Sequence, residues 1–504
     1  MKPIDHGISA PIPTLARCSR VGLAVAVLLF AVFGRPGAAD TEPKPASSGT
    51  CRQGAVIPPG FDFPASQARL QKEIANQDVH ALRRHGWAVF AGMIQPVPGT
   101  SCQVWETWYD KAQTFSADPT VVPKLSRRIT RLRQFDAGQA IAAMGIDPGK
   151  VPPAPRHPNG QAILSAVLYN RIAFDHIRDN KYYLLSTLRR LEGSIQEFPV
   201  PSVVIKPMWW PIAKTGYTPL PVWDNDPANP PLSYNGYETW KRLVAVDPTS
   251  AAASQTVNVT FPFNNATYPP KTSSARVVPL DSLYFYRLTQ DDVAGIGESD
   301  AIYKSALEVM NRPLEAGDFI ALVAMHVGTK EIPNWFWSTF WWHDGASVTN
   351  PNPAIARYAE DRPETLKGPW RNYLMDISFD MVAPKEPKGG PAVCINPYGE
   401  LEVQMPGTIA TNCTTCHIRA AYPSFLNAET WKDPDTRQRA NVAVYDTLRR
   451  GFISPDDPLY RNLVKVDTLW SISDSALPDD HAGQGGKSAA VRDTSRIIQN
   501  WSKP

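Results

Sequence analysis

Past residue 33 the chain has no long apolar run, after Cys416 it has no methionine, and it holds only six cysteines and 20% charged residues in 504. Each shortage excludes something. A membrane helix needs about 20 consecutive apolar residues, so no span is expected beyond the N-terminus. Six cysteines are too few for a disulfide-built scaffold in a chain this long. Low charge combined with 15 tryptophans and 49 prolines is the reverse of a disordered composition and describes a loop-rich globular protein with large aromatic clusters.

The N-terminus reads as an export signal. Lys2, Arg17 and Arg20 precede the 13-residue apolar run from Val21 to Phe33. Gly34-Arg35-Pro36 ends that run, and Gly37-Ala38-Ala39 supplies small residues before a cleavage point at Asp40. At about 1.5 Å of rise per residue the run is too short to cross a bilayer as an anchor. Removal of residues 1–39 takes basic residues from 51 to 47 and acidic ones from 48 to 47, so the net charge of +3 becomes zero. Bulk charge therefore gives no reason to expect nucleic acid or an acidic membrane as a partner.

About 465 remaining residues suggest more than one region. Residues 40–195 read as mostly helical, with Leu70, Ile74, Val79 and Leu82 at helical spacing between Ser66 and His85, and a second helix over Ile163 to Leu191. The proline-rich segment 149–160 reads as a loop. Residues 200–345 change character: Val203-Val204-Ile205, the period-two stretch Val257 to Phe261, the apolar run Phe319 to Val327 and the aromatic run Trp335 to Trp342 read as strands of a mainly antiparallel sheet. Residues 346–504 read as loop-rich, with a linker at 384–391, a short helix from Asp435 to Arg450 and a loose tail.

The segment Cys413-Thr414-Thr415-Cys416-His417 carries the chemistry. In C-x-x-C-H each thiol adds across a haem vinyl group, the two-residue spacer matches the separation of the vinyls, and the adjacent histidine binds iron. A thioredoxin-like pair needs a βαβ setting, which Met405-Pro406-Gly407-Thr408 does not supply, and a zinc site needs further Cys or His nearby. The expected fold class is thus α+β: a helical N-terminal region, a mainly antiparallel β middle region, and a loop-rich C-terminal region with short helices carrying one c-type haem. Cys413, Cys416 and His417 are the expected haem residues, and Arg419 is a candidate propionate or substrate contact.

The sequence leaves the sixth iron position open. The only downstream histidine is His481 in the tail. His326 in an apolar strand, His343 at the end of the aromatic run, Met405, or no protein ligand are the alternatives, with His326 first. Lys330 and Glu331 read as an ion pair at a strand end or as an acid–base group. Cys51–Cys102 is the most economical disulfide, which leaves Cys394 as a buried thiol or as a partner that exchanges that pairing.

Several stretches together resemble a family of exported bacterial cytochrome c-like proteins with a single C-x-x-C-H. They are Val204-Ile205-Lys206-Pro207-Met208-Trp209-Trp210, Met325-His326-Val327 with Trp335-Phe336-Trp337-Ser338-Thr339-Phe340, Cys394-Ile395-Asn396-Pro397-Tyr398, and Asn412 to Tyr422. The resemblance covers roughly residues 200–475 and runs through Met325-His326-Val327 more cleanly than through His343. Within it only C-x-x-C-H has a specific chemical meaning, and that motif with the export signal leads to the expectation of a periplasmic protein with one covalent haem c and an unknown redox partner protein. One-electron transfer is the first expected function. A haem-dependent oxidoreductase (peroxidase, oxidase or dehydrogenase component) with an open distal site is the second.

Overall fold

A computed structural model of the chain describes residues 51–118, 133–134, 162–226, 240–250, 255–262, 269–298, 300–347, 352–380, 393–399, 412–423, 460 and 463–479. The signal segment, the 149–160 loop, the 384–391 linker, Met405, the 435–450 helix and His481 lie outside these residues. Within them the protein is a mixed α+β structure with helices first, antiparallel sheets in the middle and short helices toward the C-terminus.

The stretch from Ser66 to His85 forms two helices, α1 (Gln67–Ala75) and α2 (Val79–Met93). The break has a local cause. Gln77 takes a left-handed φ of 54°, and the Asp78 side chain caps α2 by accepting from Ala81 N–H. Ile163 to Leu191 is not one helix either, which corrects the expectation above. Its first third contributes β3 (Leu164–Ser165) and β4 (Leu168–Tyr169), and α3 (Arg171–Asp179) begins only at Asn170, whose side chain caps it through Ala173 N–H. A further short helix follows at Leu185–Arg189. Pairing with a neighbouring strand overrides a helical spacing of leucines here.

Among the described residues the main sheet has nine strands. Its central path runs from β1 (Tyr109–Asp110) through β4, β5 (Val203–Ile212), β11 (Phe319–Thr329) and β12 (Phe336–Trp342) to β13 (Tyr373–Ser378). β2 (Arg133–Gln134) pairs with β3, β3 with β5, and β10 (Tyr284–Arg287) with β11. Strands from both the N-terminal and the middle sequence regions thus share one sheet. A second sheet, in the order β6 (Thr218–Val222), β7 (Arg242–Asp247), β9 (Lys271–Pro279), β8 (Thr256–Phe261), contains the parallel pair β7–β9.

Every residue of β12 is buried, because both faces of the main sheet are covered. On one face α2 packs closely. A Cβ at Gly86 would meet Ser338 and Ile377 at 3.5 Å, and Phe90 stacks on Phe340 with centroids 4.1 Å apart. The other face carries two cross-strand rows set by register: Val204–Gly328–Trp337–Ser378, and beside it Lys206–His326–Thr339–Asp376. Against that second face lie the 393–399 segment and α4 (Cys413–His417), which is the C-x-x-C-H turn itself.

Candidate haem-attachment site

The motif turn is fixed at its start by Asn412. Its side-chain oxygen accepts from Thr415 N–H at 2.8 Å, and its amide nitrogen donates to the Asp380 carbonyl at 3.1 Å. Thr414 is fully buried and meets the Ser378 hydroxyl at 2.8 Å, which pins the turn to the end of β13. One helical turn brings positions 413, 416 and 417 close together in the chain's local geometry, as attachment at two thiols and ligation by the next residue require.

His417 is held on two sides. Its ring lies 4.0 Å from Trp337, centroid to centroid, at 35°. Its Nδ1 is 2.8 Å from the carbonyl oxygen of Thr468. A carbonyl only accepts, so Nδ1 bears the proton, and in the neutral ring Nε2 keeps the lone pair. That hydrogen bond is the usual outer support of a metal-binding histidine.

The Thr468 carbonyl is aimed by strained backbone. Asp467 and Thr468 both have left-handed φ angles, 45° and 67°. The Asp467 carboxylate accepts from Lys330 Nζ at 2.7 Å and from Phe198 N–H at 2.8 Å. β14 (Ala421–Tyr422), just after the motif, pairs with β15 (Val464–Lys465), just before the turn, so the two segments arrive together. Sequence reasoning missed Asp467 and Thr468, and no local signal marks them. It also misassigned Lys330 and Glu331, which do not pair with each other: Lys330 goes to Asp467, whereas Glu331 goes to His85, Thr329 and the Ala65 N–H.

His326 sits on the same sheet face as Trp337, in the neighbouring row, and its Nδ1 meets the Thr339 hydroxyl at 2.9 Å. Two residues along a strand span about 6.8 Å, so it stands one such step from Gly328, on which the Trp337 ring lies. Gly399 covers its outer edge: a Cβ there would come 2.8 Å from His326 Nε2 and 3.0 Å from Met208 Cε. Iron at that nitrogen requires the 396–399 segment to move. That segment is anchored by Asn396, whose amide donates to the Thr339 hydroxyl and the Phe340 carbonyl, each at 2.8 Å.

His343 is engaged at both ring nitrogens. Nδ1 accepts from Gly345 N–H at 2.8 Å, so Nε2 bears the proton and donates to Asp224 at 3.2 Å. It belongs to a largely buried network in which Arg242 bridges Asp224 and Asp344. Arg419 is buried, with Nη1 donating to the Thr415 carbonyl within the motif turn. Cys51 and Cys102 are paired, with Cα atoms 6.2 Å apart. Cys394 lies instead beside the motif, its Sγ 3.9 Å from that of Cys413.

Among the described residues no group of three or more His, Cys, Asp or Glu is arranged to hold a metal ion without further help, and no helix is long and apolar enough to cross a membrane. No family model, no curated protein and no solved structure matches this chain.

Proposed function

We propose that the chain is an exported c-type cytochrome with one covalent haem at Cys413 and Cys416, ligated by His417, which passes single electrons to a partner protein in the periplasm. The observation that carries this reading is the hydrogen bond from His417 Nδ1 to the Thr468 carbonyl, joined to the C-x-x-C spacing on one capped turn. It directs the lone pair of Nε2 away from the protein backbone that holds the ring, as an iron ligand requires. When bound, the haem supplies a one-electron couple at iron. The buried Arg419 guanidinium offers a charged donor for a propionate near the motif. Trp337 blocks rotation of the His417 ring and keeps water from that side.

A haem-dependent oxidoreductase with an open sixth position is the second reading. It is favoured by two observations: His343 has both nitrogens committed, and Gly399 lies against His326 Nε2.

Expression of the chain with a c-haem maturation system tests the first reading. Haem should stay on the polypeptide after denaturation, and Cys413→Ala with Cys416→Ala should remove it. A colourless wild-type chain under those conditions overturns both readings. Carbon monoxide then divides them: a low-spin spectrum that it leaves unchanged supports electron transfer, and binding supports the oxidoreductase.

A further inference from the structure

We propose that Cys394 and Cys413 close a disulfide in the haem-free chain, a second cross-link beside Cys51–Cys102 that makes Cys413 choose between a disulfide and a thioether. The bond itself does not depend on haem, whereas the choice rests on the haem reading above.

The two sulfur atoms are already in contact at 3.9 Å, and a disulfide needs about 2.05 Å. Side-chain rotation supplies the difference where the backbones are fixed near each other, and both are fixed here. Asn396 ties the Cys394 segment to β12 through the Thr339 hydroxyl and the Phe340 carbonyl, and the Tyr398 hydroxyl donates to the Pro221 carbonyl at 2.7 Å. Asn412 and Thr414 tie the Cys413 turn to the end of β13. The positions are 19 residues apart in sequence, so closing the loop costs little chain entropy. Cys51 and Cys102 are joined to each other, which removes them as partners for Cys394.

Burial assigns the order of events. Cys413 is partly exposed and Cys394 is buried. Cys413 therefore meets the oxidant, a small-molecule or protein disulfide R–S–S–R, and its thiolate forms a mixed disulfide while one R–SH leaves. The Cys394 thiolate then attacks the Cys413 sulfur, and the second R–SH leaves. The two protein thiols lose two electrons and two protons, and the co-reactant disulfide gains them. Thioether formation needs Cys413 as a thiol, so a dithiol must first run the same exchange backwards.

The experiment uses the full chain made without haem attachment, exposed to oxidised glutathione, alkylated and digested without reduction for mass spectrometry. The expected products are a Cys394–Cys413 peptide and a Cys51–Cys102 peptide, with Cys416 alkylated. In the haem-loaded chain Cys394 should become alkylatable after denaturation. A Cys413–Cys416 link, or complete alkylation of Cys394 in the haem-free chain, overturns the proposal. Cys394→Ser should lose the first peptide and keep the Cys51–Cys102 peptide, which reports an intact fold. Haem retention is scored separately: a cross-link in a chain that never takes haem overturns the choice at Cys413 and supports the bond, and haem retention with Cys394 alkylated in the haem-free chain overturns the bond alone.

Discussion

Lys330 Nζ lies 2.7 Å from Asp467 Oδ1, with both side chains buried, and this ion pair braces the turn that offers its carbonyl to His417. Lys330 also donates to the Pro333 carbonyl at 2.7 Å, so its ammonium is satisfied within the protein. Lys330→Met leaves a buried carboxylate without its cation, which costs about 3–5 kcal/mol. Urea unfolding should show that loss. On the haem reading the reduction potential should shift as well, because the support of the His417 hydrogen bond is loosened. An unchanged potential in a folded variant would remove the turn from any role at the iron.

His85 sits between Asp62 at 3.0 Å and Glu331 at 2.8 Å. Burial pulls its pKa down, but the hydrogen bonds to both carboxylates outweigh this and push it up from 6.5 to about 9. The folded pKa is above the unfolded one, so the contribution is fully present below pH 6.5 and is lost as pH rises through 9. The loss should reach at most about 3 kcal/mol. Urea midpoints measured across that window should fall with rising pH, and His85→Gln should flatten the slope. A wild-type midpoint that stays level over the window refutes the assignment.

Gly328 is the floor under Trp337. A Cβ at this position would come 2.9 Å from the indole ring, whose centroid lies 4.0 Å from that of His417, so a shift of the ring bears on His417. Gly328→Ala should destabilise the fold by about 1–3 kcal/mol through overpacking. It should also alter the absorption or magnetic spectrum of a haem held by His417. Wild-type stability would mean that the ring shifts without resistance.

On the haem reading, His343→Ala should leave the absorption spectrum unaltered, since both ring nitrogens are bonded within the protein. Its effect should be on stability, through the network of Asp224, Arg242 and Asp344. His326→Ala is the informative partner experiment: on the same reading, a changed spectrum would show that the 396–399 segment moves to let iron reach His326. A change in the His343 variant alone would reverse the two assignments.

The strands of the middle region were legible because alternation and β-branched or aromatic runs are local properties. Val257 to Phe261 and Trp335 to Trp342 fall within or across β8 and β12. The Ile163–Leu191 stretch was not, since Leu164 and Leu168 are spaced for a helix and only their pairing with β5 makes them strands. The two-helix form of Ser66–His85 was signalled by Asp78, a capping residue inside the apparent helix.

At the site the division follows sequence distance. The sequence alone determined the motif turn, because Asn412, Cys413, Cys416 and His417 lie within a single turn whose geometry depends on neighbours three and four residues away. Tertiary structure decided the rest: the Thr468 carbonyl meets His417 across 51 residues, Asp467 meets Lys330 across 137, and Asn396 meets Thr339 across 57. Contacts at such separations leave no periodicity in the chain, and they exist only because the main sheet fixes where each segment must end.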